Sequence, residues 1–323
     1  MPSVDASVAS NHHDLIIVGG GPAGYSAALY AARAGLDALV IEQGMPGGQI
    51  ATSDEIDNYP GIPHISGAEI GTKMQEHAES AGAQTGYAMV TSIAHEADGS
   101  FVVSGDDATY RAPAVIAAMG ATPRLGGFKG EDAYRGRGIS YCATCDGMFY
   151  RGKKVFVIGG GNSACEEAVY LSRIAESVEI VVRRDQFRAS KGMVKRVLDR
   201  PNIKVRYQTS IVDVSGGQLL NAITFRDNAS GETHVEEFPE GSFGIFVFIG
   251  NDAQTALIKD LVELGPDGAV LTDDAMATRT PGLFCAGDIR SKGLRQVITA
   301  ASDGAIAATS AYRYLDENGL LAD

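Results

Sequence analysis

The 323 residues include 27 Lys and Arg against 40 Asp and Glu, a net charge of −13, and 45% of them are hydrophobic. That length is long for one domain and natural for two, each able to bury its own core. The acidity argues against nucleic acid, whose binding rests on neutralising phosphates with Lys and Arg.

Apolar runs such as Leu15 to Val18 are far too short to span a bilayer. The first basic residue is Arg33, so the N-terminus lacks the charged segment of a secretory signal. Together with only four cysteines, this predicts a cytoplasmic, reducing compartment.

In chain order, residues 1–13 are expected to form a disordered tail. Asp14 leads into the apolar run Leu15 to Val18, then Gly19-Gly20-Gly21-Pro22-Ala23-Gly24, a helical segment from about Ala23 to Ala34, and a second apolar run, Ala38 to Ile41. This is a strand, a glycine turn, a helix and a strand. Glycines at Gly19, Gly21 and Gly24 let the backbone turn sharply and approach a pyrophosphate on the N–H groups of the helix start. Glu42 follows about twenty residues on, where a carboxylate can bind a ribose hydroxyl.

Residues 46–61, rich in Gly, Pro, Asp and Asn, read as a loop over a ligand. Ser66 caps a helix with Ile70, Met74, His77 and Ala81 on one face; His77 is expected to pack or be solvated. Phe101 to Ser104 and Ala108 to Arg111 predict a hairpin, and Val115 to Ala118 a buried strand ending at Met119-Gly120-Ala121.

Next comes Cys142-Ala143-Thr144-Cys145-Asp146. Two thiols at this spacing close a small disulfide ring, and the adjacent acid can pass a proton to a leaving thiolate. Half of a zinc site is the rival reading, but it needs a second pair of ligands. Cys165 and Cys285 stand alone, and His12 and His13 have no cysteine nearby. No metal is therefore expected. A purely structural bridge over two residues removes little chain entropy, so a working dithiol is the stronger reading. Cys165 and Cys285, among small and apolar neighbours, read as inert core residues.

Lys154 then precedes Val155 to Ile158, followed by Gly159-Gly160-Gly161-Asn162-Ser163-Ala164, a helix to about Ile174 and a strand from Val178 to Val182. A shift of 140 residues lays the first unit on this one without a gap. Leu15 falls on Val155, Gly19 on Gly159, Tyr30 on Tyr170 and Arg33 on Arg173. The chain thus holds two dinucleotide-binding units, predicting an α/β fold. The units differ at one informative place: Glu42 falls on Val182, which is followed by Arg183, Arg184 and Arg188. A carboxylate repels a ribose 2′-phosphate, whereas guanidinium groups bind it through paired, charge-assisted bonds.

Beyond lie a short helix, Lys191 to Asp199, a strand meander from Ile203 to Glu237, and a buried strand, Gly244 to Gly250, expected to close the domain. A strand ends at Gly287-Asp288 before a long Ala-rich helix, Gln296 to Tyr314. Asp288 can contact a cofactor's polyol chain there.

Two glycine units, Cys142-Ala-Thr-Cys145-Asp146-Gly147, Val182-Arg-Arg-x-x-x-Arg188 and Ala286-Gly287-Asp288, in that order and spacing, resemble the low-molecular-weight bacterial thioredoxin reductases. The resemblance implies two Rossmann-like three-layer dinucleotide-binding domains, the second inserted into the first. An FAD domain would comprise 14–121 and 252–323, and an NADPH domain carrying the dithiol would comprise 124–250. By resemblance the FAD contacts are Gly19, Gly21, Pro22, Ala23, Gly24, Glu42, Gln43, Gly48, Gln49, Asn58, Gly120, Gly287, Asp288, Arg295, Gln296 and Val297. Those to NADPH are Gly159, Gly161, Asn162, Ser163, Ala164, Arg183, Arg184 and Arg188.

The resemblance further implies a homodimer that reduces thioredoxin. Cys145 would lie towards the flavin, Cys142 would attack thioredoxin, and Asp146 would donate the proton. Arg137, Met148 and Phe149 would belong to the docking surface. Two positions depart from the family pattern: Val182 replaces a usual histidine and Met119 a usual threonine. The competing readings are a reductase fed by ferredoxin or another flavoprotein, one serving a different small disulfide protein, and a nucleotide-binding redox sensor without turnover.

Overall fold

The computed structural model describes residues 11–53 and 55–321. The chain divides into two compact units, one of residues 1–122 with 252–323, the other of residues 123–251. Most of the expected tail, 1–10, lies outside the described residues. Asn11 to His13 are pinned to the body instead of trailing: the Asn11 amide donates to the Thr109 carbonyl at 2.9 Å, and His13 Nδ1 meets Asp37 at 2.9 Å.

The first unit opens with strand β1 (Leu15–Val18), helix α1 (Pro22–Arg33) and strand β2 (Ala38–Glu42). Pro22 stands at the start of α1, where its missing N–H has no partner to lose and its fixed φ suits the helix. Helix α2 (Gly67–Ser80) is capped by Ser66, whose hydroxyl accepts the Glu69 N–H at 3.2 Å. Its inner face is Ile70, Met74 and Ala78, and His77 is exposed. Strands β3 (Gln84–Tyr87), β4 (Val90–His95), β5 (Phe101–Gly105), β6 (Thr109–Ala112) and β7 (Ala114–Ala117) follow. The expected hairpin is β5 with β6, and β4 adds a third antiparallel strand that the sequence did not announce. Its outward residues are polar, so its apolar pattern is short.

A short strand, β8 (Ala121–Pro123), leads into the second unit. This unit holds β9 (Ile139–Ser140), α3 (Ala143–Asp146), β10 (Lys154–Ile158), α4 (Asn162–Leu171), β11 (Ser177–Val181) and α5 (Lys191–Leu198). It continues with β12 (Ile203–Arg206), β13 (Thr209–Gly216), β14 (Leu220–Asp227), β15 (Thr233–Glu237) and β16 (Phe243–Val247). One expectation is corrected here: β12 joins the parallel sheet beside β11 rather than the antiparallel meander. β16, buried throughout, lies inside the sheet between β10 and β9 and comes just before the end of the unit at Asn251. Strand β17 (Asn251–Ala253) leads back to the first unit, which is completed by β18 (Leu283–Cys285) and the long helix α6 (Val297–Glu317).

Both units repeat one scheme. The first has a five-stranded parallel sheet ordered β18-β7-β1-β2-β3, the second one ordered β12-β11-β10-β16-β9. Side chains alternate across the central strands: Leu15 and Ile17 pack towards α1 and α6, Ile16 and Val18 towards the β4–β6 sheet. Likewise Val155 and Val157 face α4, and Phe156 faces the β13–β15 sheet. Central strands covered on both faces must be apolar throughout, which is why these runs are unbroken. Each unit is therefore a three-layer α/β Rossmann-like body. Even the register repeats: Leu15 pairs with Ala38, and Val155 with Val178.

In the first unit α1 and α6 lie so close that a Cβ on Gly304 would overlap the Ala23 carbonyl oxygen. Small residues on α6 thus bring its second turn against the first turns of α1. No helix among the described residues is long and apolar enough to cross a membrane.

Candidate active site

In the second unit the edge strand β9 delivers Ser140, and two residues later Cys142 caps the single turn of α3. Cys142 and Cys145 form a disulfide with their Cα atoms 5.3 Å apart. Cys142 Sγ accepts the Cys145 N–H at 3.2 Å, and the Cys142 carbonyl accepts the Asp146 N–H at 3.1 Å. The Ser140 hydroxyl accepts the Cys142 N–H at 3.1 Å and donates to Asp146 Oδ2 at 2.5 Å. One hydroxyl therefore ties the carboxylate to the backbone of the first cysteine. Sequence reading missed Ser140 because nothing in its spacing marks a hydroxyl that reaches six residues along the chain.

Cys145 is exposed and Cys142 half-buried. Tyr150, packed edge-on to Phe246, has its phenol pushed up to about 12 by burial and by the Asp146 charge. The other cysteines are core residues, as their neighbours suggested. Burial pushes the Cys165 thiol up to about 11 and the Cys285 thiol to about 12, so neither presents a thiolate at neutral pH. Among the described residues no group of three or more His, Cys, Asp or Glu is placed to hold a metal ion.

The first unit contains a cavity of about 400 Å³ at the carboxyl ends of its parallel strands. Its lining includes Gly19, Gly21, Pro22, Ala23, Glu42, Gln43, Gly48, Gln49, Gly120, Gly287, Asp288, Gln296 and Val297. Three expected contacts do not line it. Gly24 instead serves close packing, since a Cβ there would overlap the Gly19 carbonyl oxygen. The Asn58 amide donates to the Gln296 side chain at 2.9 Å, and Arg295 keeps its Nε buried without a hydrogen bond. Residues with no motif to reveal them also line the cavity, among them Met89, Met119, Gln254 and Leu257.

Glu42, buried at the end of β2, accepts the Gly20 N–H at 2.5 Å and the Gly44 N–H at 2.8 Å. A carboxylate fixed by two backbone donors still has lone pairs for a hydroxyl. Asp288 Oδ1 is buried without a hydrogen bond, and burial pushes that carboxyl above the ordinary range against the pull of Lys292 and Arg295. The glycine turn, the fixed acid and these unsatisfied polar atoms fit an adenine dinucleotide with a polyol arm.

In the second unit the turn between β10 and α4 presents Gly161, Asn162 and Ser163 at the surface, with Ala164 buried beneath. Gly159 takes φ +146°, and a side chain there would strike the Phe248 carbonyl oxygen. Val182 is buried, whereas Arg183, Arg184 and Arg188 are exposed. The backbone of this arginine segment is held in place: the Gln208 N–H donates to the Arg184 carbonyl at 2.9 Å, the Asn228 amide to the Arg183 carbonyl at 3.0 Å, and the Arg188 N–H to Gly160 at 2.7 Å.

Residues 13–304 match the pyridine nucleotide-disulphide oxidoreductase family. The chain is 44% identical over 305 residues to a thioredoxin reductase of Treponema pallidum, covering 94% of this chain and 97% of that one. It is 42% identical over 312 residues to one of Peptoclostridium acidaminophilum, covering 95% and 98%. The crystal structure of a thioredoxin reductase from Streptococcus pyogenes superposes with a TM-score of 0.88 at 40% identity, covering 96% of this chain and all of that one. The chain belongs to the thioredoxin reductases of that oxidoreductase family.

Membership makes it an oxidoreductase with a redox-active cysteine pair and implies a flavin and a pyridine nucleotide. Relative to the thioredoxin reductase pattern, Val182 is accommodated by packing: it joins the α4 core, and a Cβ on Gly160 would come within 3.0 Å of it.

Proposed function

We propose that the chain is an NADPH-dependent thioredoxin-disulfide reductase, with FAD in the first unit's cavity and NADPH at the second unit's glycine turn. The observation that carries this reading is the Cys142–Cys145 disulfide beside Asp146, in a chain with two dinucleotide-type turns whose strands end in opposite charge. FAD, when bound, supplies the two-electron carrier between a hydride donor and the disulfide. Glu42 would accept from the adenosine ribose, and Asp288 from the polyol arm. The free N–H groups at the start of α4 would take the NADPH pyrophosphate, and Arg183, Arg184 and Arg188 its 2′-phosphate.

Within the dithiol the chain's own atoms divide the work. Once the disulfide is reduced, the Cys145 N–H stabilises negative charge on Cys142 Sγ, which favours Cys142 as the attacking thiolate. Its sulfur forms a bond to one thioredoxin sulfur while the thioredoxin disulfide breaks, and the departing thiolate takes a proton. Asp146, held by Ser140, is the acid placed to supply it. The Cys145 thiolate then attacks Cys142 Sγ, which restores the internal disulfide and expels the second thioredoxin sulfur as a thiolate; protonation of that sulfur from solvent completes dithiol thioredoxin. Met148 and Phe149, about half exposed on the turn after α3, and Arg137 would form the docking surface. The same reading, resting on family resemblance, makes the protein a cytoplasmic homodimer.

Purified protein should be yellow and should oxidise NADPH beyond the equivalents that reduce its own FAD and disulfide only while thioredoxin disulfide is supplied. A colourless protein that cannot be reconstituted with FAD would end this reading. Cys145→Ser should trap a mixed disulfide with thioredoxin, visible by non-reducing electrophoresis, and Cys142→Ser should not. The reverse pattern would exchange the two roles.

A further inference from the structure

Asp303 lies on the second turn of α6, facing the loop that follows β18. It is buried, with only 7% of its surface exposed, and it is surrounded by donors from that loop. Its Oδ2 accepts the Gly287 N–H at 3.1 Å and pairs with Lys292 Nζ at 3.0 Å; its Oδ1 pairs with Arg290 at 3.0 Å. Gly287 has φ +82°, a conformation that glycine adopts freely and L side chains rarely do, and the Asp303 hydrogen bond ties this turn, which presents Asp288 to the cavity, to α6.

Lys292 is the informative member. Its ammonium lies between two carboxylates, closer to Asp303 at 3.0 Å and forming a longer ion pair with Asp288 Oδ1 at 3.4 Å that lacks hydrogen-bond geometry. Asp288 lines the cavity with a third of its side chain accessible. A buried ammonium closes on whichever carboxylate remains when its nearer partner loses its charge, because an uncompensated buried charge is costly. A carboxylate committed to an ammonium is then a weaker acceptor for a ligand hydroxyl.

We propose that Asp303 is a positioning residue for the cofactor: it accepts from the backbone of the Gly287–Asp288 turn and draws Lys292 towards itself, so that the ammonium keeps only the longer pair with Asp288 and leaves that carboxylate available to a hydroxyl-rich arm of the flavin nucleotide. The inference rests on the reading that the first-unit cavity takes FAD. Arg290 keeps a second partner, Thr272 Oγ1 at 2.7 Å, so the loss of Asp303 charge falls mainly on Lys292.

The test is the dissociation constant for FAD, measured by flavin fluorescence on full-length protein stripped of flavin, with thermal unfolding of each apoprotein as the check on folding. Asp303→Asn should bind FAD at least tenfold more weakly. Lys292→Met alone should stay within threefold of the parent. In the Asp303→Asn background, Lys292→Met should recover most of the lost affinity. An Asp303→Asn protein that binds like the parent overturns the proposal. So does a double variant weaker than either single one, since that additivity marks a packing role alone, and so does a tenfold loss in Lys292→Met by itself. If the parent binds no FAD, it is the reading of the cavity that fails.

Discussion

The two units share a strand, glycine turn, helix and strand in identical register, yet they end in opposite chemistry. At the close of β2, Glu42 turns inward and is fixed by Gly20 and Gly44. At the matching place after β11, Val182 fills the core and the next two residues, Arg183 and Arg184, face solvent. The contrast extends to whole units. Residues 123–251 contain 18 of the 27 Lys and Arg but 15 of the 40 Asp and Glu, a net +3, leaving −16 on the rest of the chain. On the proposed reading, one backbone design serves two ligands because ligand choice is made at the strand end, after the fold has been specified by the apolar runs behind it.

The largest expected effect lies on the basic side of this contrast. Replacing Arg183 and Arg184 together with Ala should raise the KM for NADPH by about a hundredfold, as expected for two lost charge-assisted pairs, with kcat nearly unchanged and NADH use unaffected. Steady-state kinetics with both donors checks it, and an unchanged preference would reduce the arginines to a solvated strand end.

A second test compares the third position of each glycine turn. Gly24→Ala puts a methyl into the Gly19 carbonyl oxygen, whereas the equivalent Ala164 already fits against Gly159. Gly24→Ala should therefore destabilise the first unit by about 2 kcal/mol through forced displacement of backbone. FAD affinity should fall about tenfold with it. Ala164→Gly should cost about 1 kcal/mol or less. Denaturant titration of both apoproteins measures the difference, and equal losses would show that the two turns are not packed differently.

The smallest effect concerns ion networks. In the second unit Arg206 bridges Glu179 and Glu236, the latter at 2.7 Å. Burial works to raise the Glu236 carboxyl, but the Arg206 hydrogen bond and charge outweigh it and hold it below the ordinary range. A depressed carboxyl contributes stability above its unfolded pKa of about 4.3 and loses it as pH falls through the folded value. Glu236→Gln should cost about 1 kcal/mol at pH 7 and remove that part of the acid sensitivity below about pH 4. Parallel acid-limb slopes in variant and parent would place the titration elsewhere.

The amino-acid sequence by itself determined the α/β class, the two repeated units, the dithiol and the charge reversal after Ile41 and Val181. All of these are written in local apolar runs, glycine spacing and contiguous motifs, and a 140-residue shift suffices to read them. Strand β4 escaped because its outward face is polar, and β12 was assigned to the wrong sheet because periodicity specifies a strand but not its neighbour.

Only the tertiary structure decided which distant groups meet. It made Ser140 the partner of Asp146, and it packed Gly24 against the Gly19 carbonyl, where no side chain fits. It also set Asp303 between Gly287, Arg290 and Lys292. A hydrogen bond or ion pair acts over a few ångströms and depends on angle, so its partners are chosen by how helices and strands pack, which no spacing along the chain records.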